Sequence, residues 1–151
     1  SLRSGVAIAN TSSTATTAIF ELTTLDGTST GLTASQSVPP SGQIATFVDE
    51  LFPTLTTPFQ GVLRISSTAT AVAVIGLRAR TNERGDFLIT TTPPTDEPSV
   101  ASSAELLFPH LADSGGWNTQ FILFSGVAGG TSSGTLGFFS QAGGALGLIV
   151  R

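Results

Sequence analysis

"TTAIFELTTLDG" occupies residues 16–27. Ile19, Glu21 and Thr23 oppose Phe20, Leu22 and Thr24 along it. An apolar position at every second residue is the period of a β-strand, one face of which is buried. The segment ends at Asp26-Gly27, a turn dipeptide whose glycine accepts positive φ without a Cβ clash. This stretch therefore predicts a strand that runs into a turn, and it sets the fold class.

The same reading extends in both directions. Strands are predicted over 5–10 ("GVAIAN"), 31–40, 61–68, 71–80 ("AVAVIGLRAR") and 86–94. Turn signals at Ser67-Thr68 and at Glu83-Arg84-Gly85 join neighbours at hairpin spacing. One segment departs from the pattern. In "SGQIATFVDELFP" (41–53), Ile44, Phe47, Val48 and Leu51 fall at helical spacing, Ser41 can cap the start and Pro53 stops continuation. The expectation is an all-β fold: an antiparallel sandwich of Greek-key type, with one short helix at about 44–51.

Composition narrows the function classes. The 151 residues suit one domain, or one and a fraction. Charged residues make up 11%, the six cations are all arginine, and Ser and Thr together number 41. A surface covered by hydroxyls and glycine follows. With a net charge of −4 and no basic stripe, nucleic-acid binding has no electrostatic footprint. The longest apolar runs, 71–77 and 121–124, are too short to span a bilayer as helices. Absence of Cys removes disulfides and zinc-thiolate sites.

The tail repeats the beginning. "GVAIAN" (5–10) is matched by "QFILFS" (120–125), and "AIFELTTLDGTSTGL" (18–32) by "GTLGFFSQAGGALGL" (134–148), so that Gly27 aligns with Gly143 and Leu32 with Leu148. "ELFP" (50–53) recurs as "LLFP" (106–109). The expected organisation is a first β-rich repeat over 1–92, a Pro-rich connection over 93–103 and a partial second repeat over 104–151 with strands at 119–125, 134–140 and 145–150. The partial repeat is expected either to pack with the first as one sandwich or to be completed by a neighbouring subunit.

These residues carry a resemblance. "GVAIAN", "FVDELFP", "FQGVLRISS" and "AVIGLR", followed by "FPHLADSGGWNTQFILF", resemble a β-rich repeat of large secreted proteins of environmental bacteria. There, an FPH segment with a glycine-rich turn and a tryptophan leads into the next repeat's first strand. The resemblance implies secretion and modularity, and no catalytic activity.

Candidate sites are few. His110, Asp113 and Trp117 lie in "HLADSGGW", which holds the only histidine and the only tryptophan. The bland reading is a repeat junction, with the indole covering a strand entry and Ser114-Gly115-Gly116 making the turn. The sharper reading is a saccharide-stacking site. A serine hydrolase would need His110 as base, and no G-x-S-x-G elbow exists. The carboxylate pairs Asp49-Glu50 and Asp96-Glu97 read as solvated faces, and the glycine-rich stretches lack the lysine of a phosphate loop. Asn10-Thr11-Ser12 fits a glycosylation sequon at Asn10. No metal site or cofactor is expected.

The expected function is a non-enzymatic extracellular structural module. It would be a subunit of a surface array or filament assembled by strand pairing or donation between copies of itself. Val6 and Ile8 near one end, and Leu146, Leu148 and Val150 near the other, mark the expected subunit-contact strands. The alternative is an adhesion module that binds surface polysaccharide through the His110–Trp117 region. Nucleic acid and membrane insertion are not expected.

Overall fold

A computed structural model describes residues 2–69, 71–97, 107–112, 115–116, 119–122 and 133–147. The chain divides into two compact units, Ser1–Thr95 and Asp96–Arg151. The fold is all-β, with antiparallel sheets.

The first unit contains β1 (Leu2–Asn10), β2 (Thr16–Thr24), β3 (Ser29–Val38), β4 (Gln43–Phe47), the one-turn helix α1 (Val48–Leu51), β5 (Gly61–Ser67), β6 (Val72–Thr81) and β7 (Phe87–Thr92). Six of these strands stand where the alternation places them. They form a four-stranded sheet ordered β4-β1-β6-β7 and a three-stranded sheet ordered β3-β2-β5.

One core joins the two sheets. Val6 and Ile8 enter it from β1, Ala18, Phe20 and Leu22 from β2, and Val38 from β3. Phe20 is fully buried, as the period-two reading requires. Each of the larger of these side chains contributes about 1.5–3 kcal/mol by leaving water. Leu51 and Phe52 also reach this core, so the helical turn and the residue after it cover part of it.

The helix is shorter than the spacing predicts. Gln43–Phe47 is a strand, paired with β1 from Gly5↔Phe47 to Ala9↔Gln43. Extended geometry still directs Ile44 to the core, opposite Ile8, while Phe47 falls on the outer face. Sheet hydrogen bonding to β1 outweighs a local helical preference, which is weak over so short a segment. The turn that remains helical starts where Glu50 accepts a hydrogen bond from the Phe47 amide at 3.1 Å.

The sheets differ in width, and this shapes the surface. Val72 and Val74 of β6 pack on the core, and the same inward face continues to Arg78 and Arg80, which are exposed. β7, paired to β6 at the sheet's margin, is exposed at all six positions. The four-stranded sheet thus extends past its shared core, with β7 as its overhang.

In the second unit, β8 (Phe138–Phe139) and β9 (Ala145–Leu146) form a short hairpin. Phe108 packs edge-on against Phe121 at 5.2 Å between centroids, and Phe121 against Phe138 at 6.3 Å. Residues 119–122 are not in a strand, and the rest of the strand expected at 119–125 lies outside the described residues.

Candidate functional site

β7 is the most exposed apolar strand of the first unit. Phe87 is 61% exposed, Leu88 52% and Ile89 55%, followed by Thr90, Thr91 and Thr92. The strand carries no charge and no proline. One of its edges is paired to β6 from Thr81↔Phe87 to Gly76↔Thr92. Its other edge has no strand beside it among the described residues. Exposed backbone donors and acceptors on an uncharged edge are a template for another strand.

The sequence places β7 firmly. Its hairpin turns at Asn82–Asp86, where the Asn82 amide donates to the Asp86 carbonyl at 3.0 Å and the Gly85 amide to the Asn82 carbonyl at 3.1 Å. The Asn82 side-chain oxygen accepts from the Arg84 and Asp86 amides at 3.0 and 2.9 Å. Gly85 sits at φ +85°, a conformation that glycine adopts freely. β7 itself is uncharged; Arg80 and Arg78 of β6 stand opposite its Leu88 and Thr90, Arg80 reaches Glu83 of the turn at 2.5 Å, and Arg84 lies near Asp86 at 3.4 Å.

Val6 and Ile8 lie elsewhere. They are 2% and 1% exposed, and their strand is paired on both edges, to β4 and to β6. In this arrangement β1 offers no free edge to a neighbour; the edge strands of this sheet are β4 and β7, of which β7 is the more exposed. Leu146 is in β9 and 42% exposed. Leu148 and Val150 lie outside the described residues. Sequence reasoning assigned β7 to the first repeat and did not single out its exposure. The signal was present as "FLIT", a run with no inward-outward alternation of polarity.

His110 is exposed, while Asp113 and Trp117 lie outside the described residues. The Thr119 hydroxyl accepts from the Ala112 amide and donates to the Ala112 carbonyl, both at 3.0 Å. Gly115 and Gly116 take φ of +60° and +88° in the turn expected there.

Asn10 is 2% exposed and works inward. Its amide nitrogen donates to the carbonyls of Thr14, Val38 and Pro39 at 2.8, 3.3 and 3.0 Å. Its oxygen accepts from the Ser12 amide and hydroxyl at 3.0 and 2.8 Å. A glycan on this nitrogen would displace those bonds in the folded chain. Beside it, Ala9, Thr11, Ser41, Gly42 and Gln43 line an open depression of about 460 Å³.

Arg3 gathers one of the two carboxylate pairs. It reaches Asp49 at 2.9 Å and Glu50 at 3.0 Å, and stacks 3.9 Å over the Phe47 ring. Its hydrogen bond holds the Asp49 carboxyl below the usual range. Glu50 is lowered first by the Phe47 amide and then by Arg3. Asp49 is thereby held as a carboxylate chiefly by Arg3, and Glu50 chiefly by the Phe47 amide.

Among the described residues no cluster of His, Cys, Asp and Glu could hold a metal ion, and no helix is long and apolar enough to cross a membrane. No family model, curated protein or solved structure matches the chain.

Proposed function

We propose that the chain is a non-enzymatic extracellular structural module that assembles with copies of itself by pairing of β-strand edges. The observation that carries this reading is β7: an uncharged edge strand with Phe87, Leu88 and Ile89 exposed. Soluble proteins usually blunt such edges with charge, proline or a covering element. Here the strand itself carries no charge; the nearby charges lie in the turn before it and on β6, where Arg80 and Arg78 stand opposite Leu88 and Thr90. The three threonines that complete β7 favour extended backbone and leave the edge open.

The rest of the composition supports an exported, surface-built protein. Hydroxyl groups stand in for charge over much of the sequence, and cysteine and lysine are absent. The resemblance to secreted bacterial repeats points the same way. Edge pairing that repeats head to tail does not close and grows a filament or array.

The test is electron microscopy of the whole chain, paired with light scattering across a concentration series. Regular assemblies that Leu88→Lys disperses support the reading, because an inward-pointing charge on an edge strand opposes pairing. A protein that stays monomeric throughout the series overturns it.

A further inference from the structure

β7 presents its backbone in a fixed alternation. In an antiparallel pair, the N–H and C=O of one residue point to the same side, and those of the next residue to the other. The Asn82 amide bonds the Asp86 carbonyl at 3.0 Å, so the bonded pairs of this hairpin are Arg80↔Leu88, Arg78↔Thr90 and Gly76↔Thr92. The ladder counted from the other edge agrees. Asn10 donates to the Gly42 carbonyl, toward β4, and Thr11 to the Ala71 carbonyl, on the β6 side, which leaves Gly76, Arg78 and Arg80 of β6 for β7. Phe87, Ile89 and Thr91 therefore turn three N–H and three C=O groups to the free edge. The next outward position is Pro93, which has no N–H.

The remaining edge strands are poorer templates. β4 turns Gln43, Ala45 and Phe47 outward, but the Phe47 amide is taken by Glu50 at 3.1 Å, and Asp49 and Glu50 follow directly in the chain. β3 departs from regular pairing between Ser29 and Thr33. β5 carries Arg64.

We propose, on the strength of the edge-pairing reading, that the partner of β7 is β7 of a second copy, antiparallel, about a two-fold axis at Ile89. This register pairs Ile89 with Ile89 of the copy and Phe87 with Thr91 of the copy, and it alone uses all six outward groups of each strand. Centring the axis on Thr90 instead sets Phe87 opposite Pro93, which lacks the donor. Centring it on Leu88 sets Thr91 against Gly85 in the turn. Side chains match as well. On one face Phe87 meets Thr91, an aromatic beside a β-branched residue, and on the other Leu88 meets Thr90. No charge lies in the pair. Arg78 of β6 shares a row with Arg80 of the copy three strand spacings away, roughly 14 Å between Cα atoms, where salt screens them. Arg80 is also held by Glu83. Backbone alone would accept any strand; register, proline stop and side chains together select a copy. The contact is isologous and closes as a pair, so an array would be built of such pairs.

The chain has no cysteine, so single cysteines report the register. In the pair the two Ile89 Cα atoms stand about 5.5 Å apart, within disulfide reach, whereas the two Phe87 residues, or the two Thr91 residues, stand roughly 14 Å apart. Sedimentation velocity of the whole chain measures association, up to high concentration because one strand pair is a small contact. Ile89→Cys, Phe87→Cys and Thr91→Cys are then oxidised at equal concentration. All three positions are exposed, and thermal unfolding under reducing conditions checks that each variant is folded. Ile89→Cys is expected to form a disulfide-linked dimer about tenfold faster than Phe87→Cys or Thr91→Cys alone, and a mixture of those two to cross-link at a rate comparable to Ile89→Cys. Absence of association overturns both the pair and the edge reading. Association that protects the Phe87, Ile89 and Thr91 amides from exchange, without preferential cross-linking of Ile89→Cys, keeps the edge reading and overturns the pair. Faster joining of Ile89→Cys to Ala45→Cys than to itself does the same, and makes β4 of the next copy the partner.

Discussion

Gly27 and Gly143 occupy the same position of the same turn. Gly27 donates its amide to the Thr24 carbonyl at 3.0 Å, and Gly143 to the Ser140 carbonyl at 2.9 Å. The amides of Thr24 and Ser140 return bonds to the carbonyls of Thr28 and Gly144 at 2.9 and 2.8 Å. Both glycines are left-handed, at φ +85° and +81°. The flanking pairs Thr23↔Ser29 and Phe139↔Ala145 share one register. The β6–β7 turn uses the same device at Gly85, so the turn alone does not mark a repeat. What distinguishes the Gly27–Gly143 pair is that the sequence around it matches as well.

Gly27→Ala should therefore destabilise the first unit by about 1–2 kcal/mol, through left-handed strain alone. Nothing lies within 4 Å of the added methyl group, so no steric term is expected. Gly27→Asn, which tolerates that backbone region, should recover most of the loss. Denaturant titration of the three proteins checks both expectations.

Asn10→Ala should cost about 2–4 kcal/mol, because three carbonyls lose their donor at a corner between β1, β2 and β3. Asn10→Asp should do at least as much harm, since a carboxylate would face those oxygens. Thermal unfolding of the variants measures this. Equal stability would show that the corner is held by backbone bonds such as Ser41 to Ser12 at 2.8 Å.

Acid should weaken the first unit by a defined route. Asp49 and Glu50 titrate below their ordinary values of 3.8 and 4.5 in the folded chain. The unfolded chain thus takes up protons first as pH falls. The stability they confer is fully present above the unfolded values and disappears as pH drops through the folded ones. Arg3→Gln should flatten the part of that acid limb due to Arg3. Glu50 should keep the part due to the Phe47 amide. Melting temperature against pH for both proteins gives the comparison, and exposure of the pair makes the expected effect small.

Gly5 tests the packing of the outer face. A methyl group there would lie 2.6 Å from the Thr46 carbonyl oxygen and 3.0 Å from the Phe47 ring. Gly5→Ala should loosen the β1–β4 pairing and release Phe47 from its place over Gly5. Faster amide exchange in Gln43–Phe47, with β2 and β5 unchanged, is the expected signature.

Much of this fold was legible in the sequence, for local reasons. Phe20 and Leu22 alternate with Ile19 and Glu21, and the glycines at 27 and 85 mark turns. The segment at 43–47 was not legible. Its apolar spacing satisfies a helix as well as a strand with Ile44 inward and Phe47 outward, and only pairing with β1 decides between them. The exposure of β7 was not legible, because which strand ends the sheet depends on sheet order. "AVAVIGL" announces a strand apolar on both sides, but which neighbours cover it depends on sheet order. β1 looked like a terminal strand free to be donated. It is a central strand because β4 and β6, far away in sequence, close over its two edges.

Edge pairing at β7 is the central claim, and amide hydrogen exchange tests it most directly. Exchange is followed in dilute and in concentrated samples of the whole chain. Amides within Phe87–Thr92 are expected to gain protection on concentration, while those of β1, already paired on both sides, do not change. β7 amides that exchange at the same rate in both samples would contradict it.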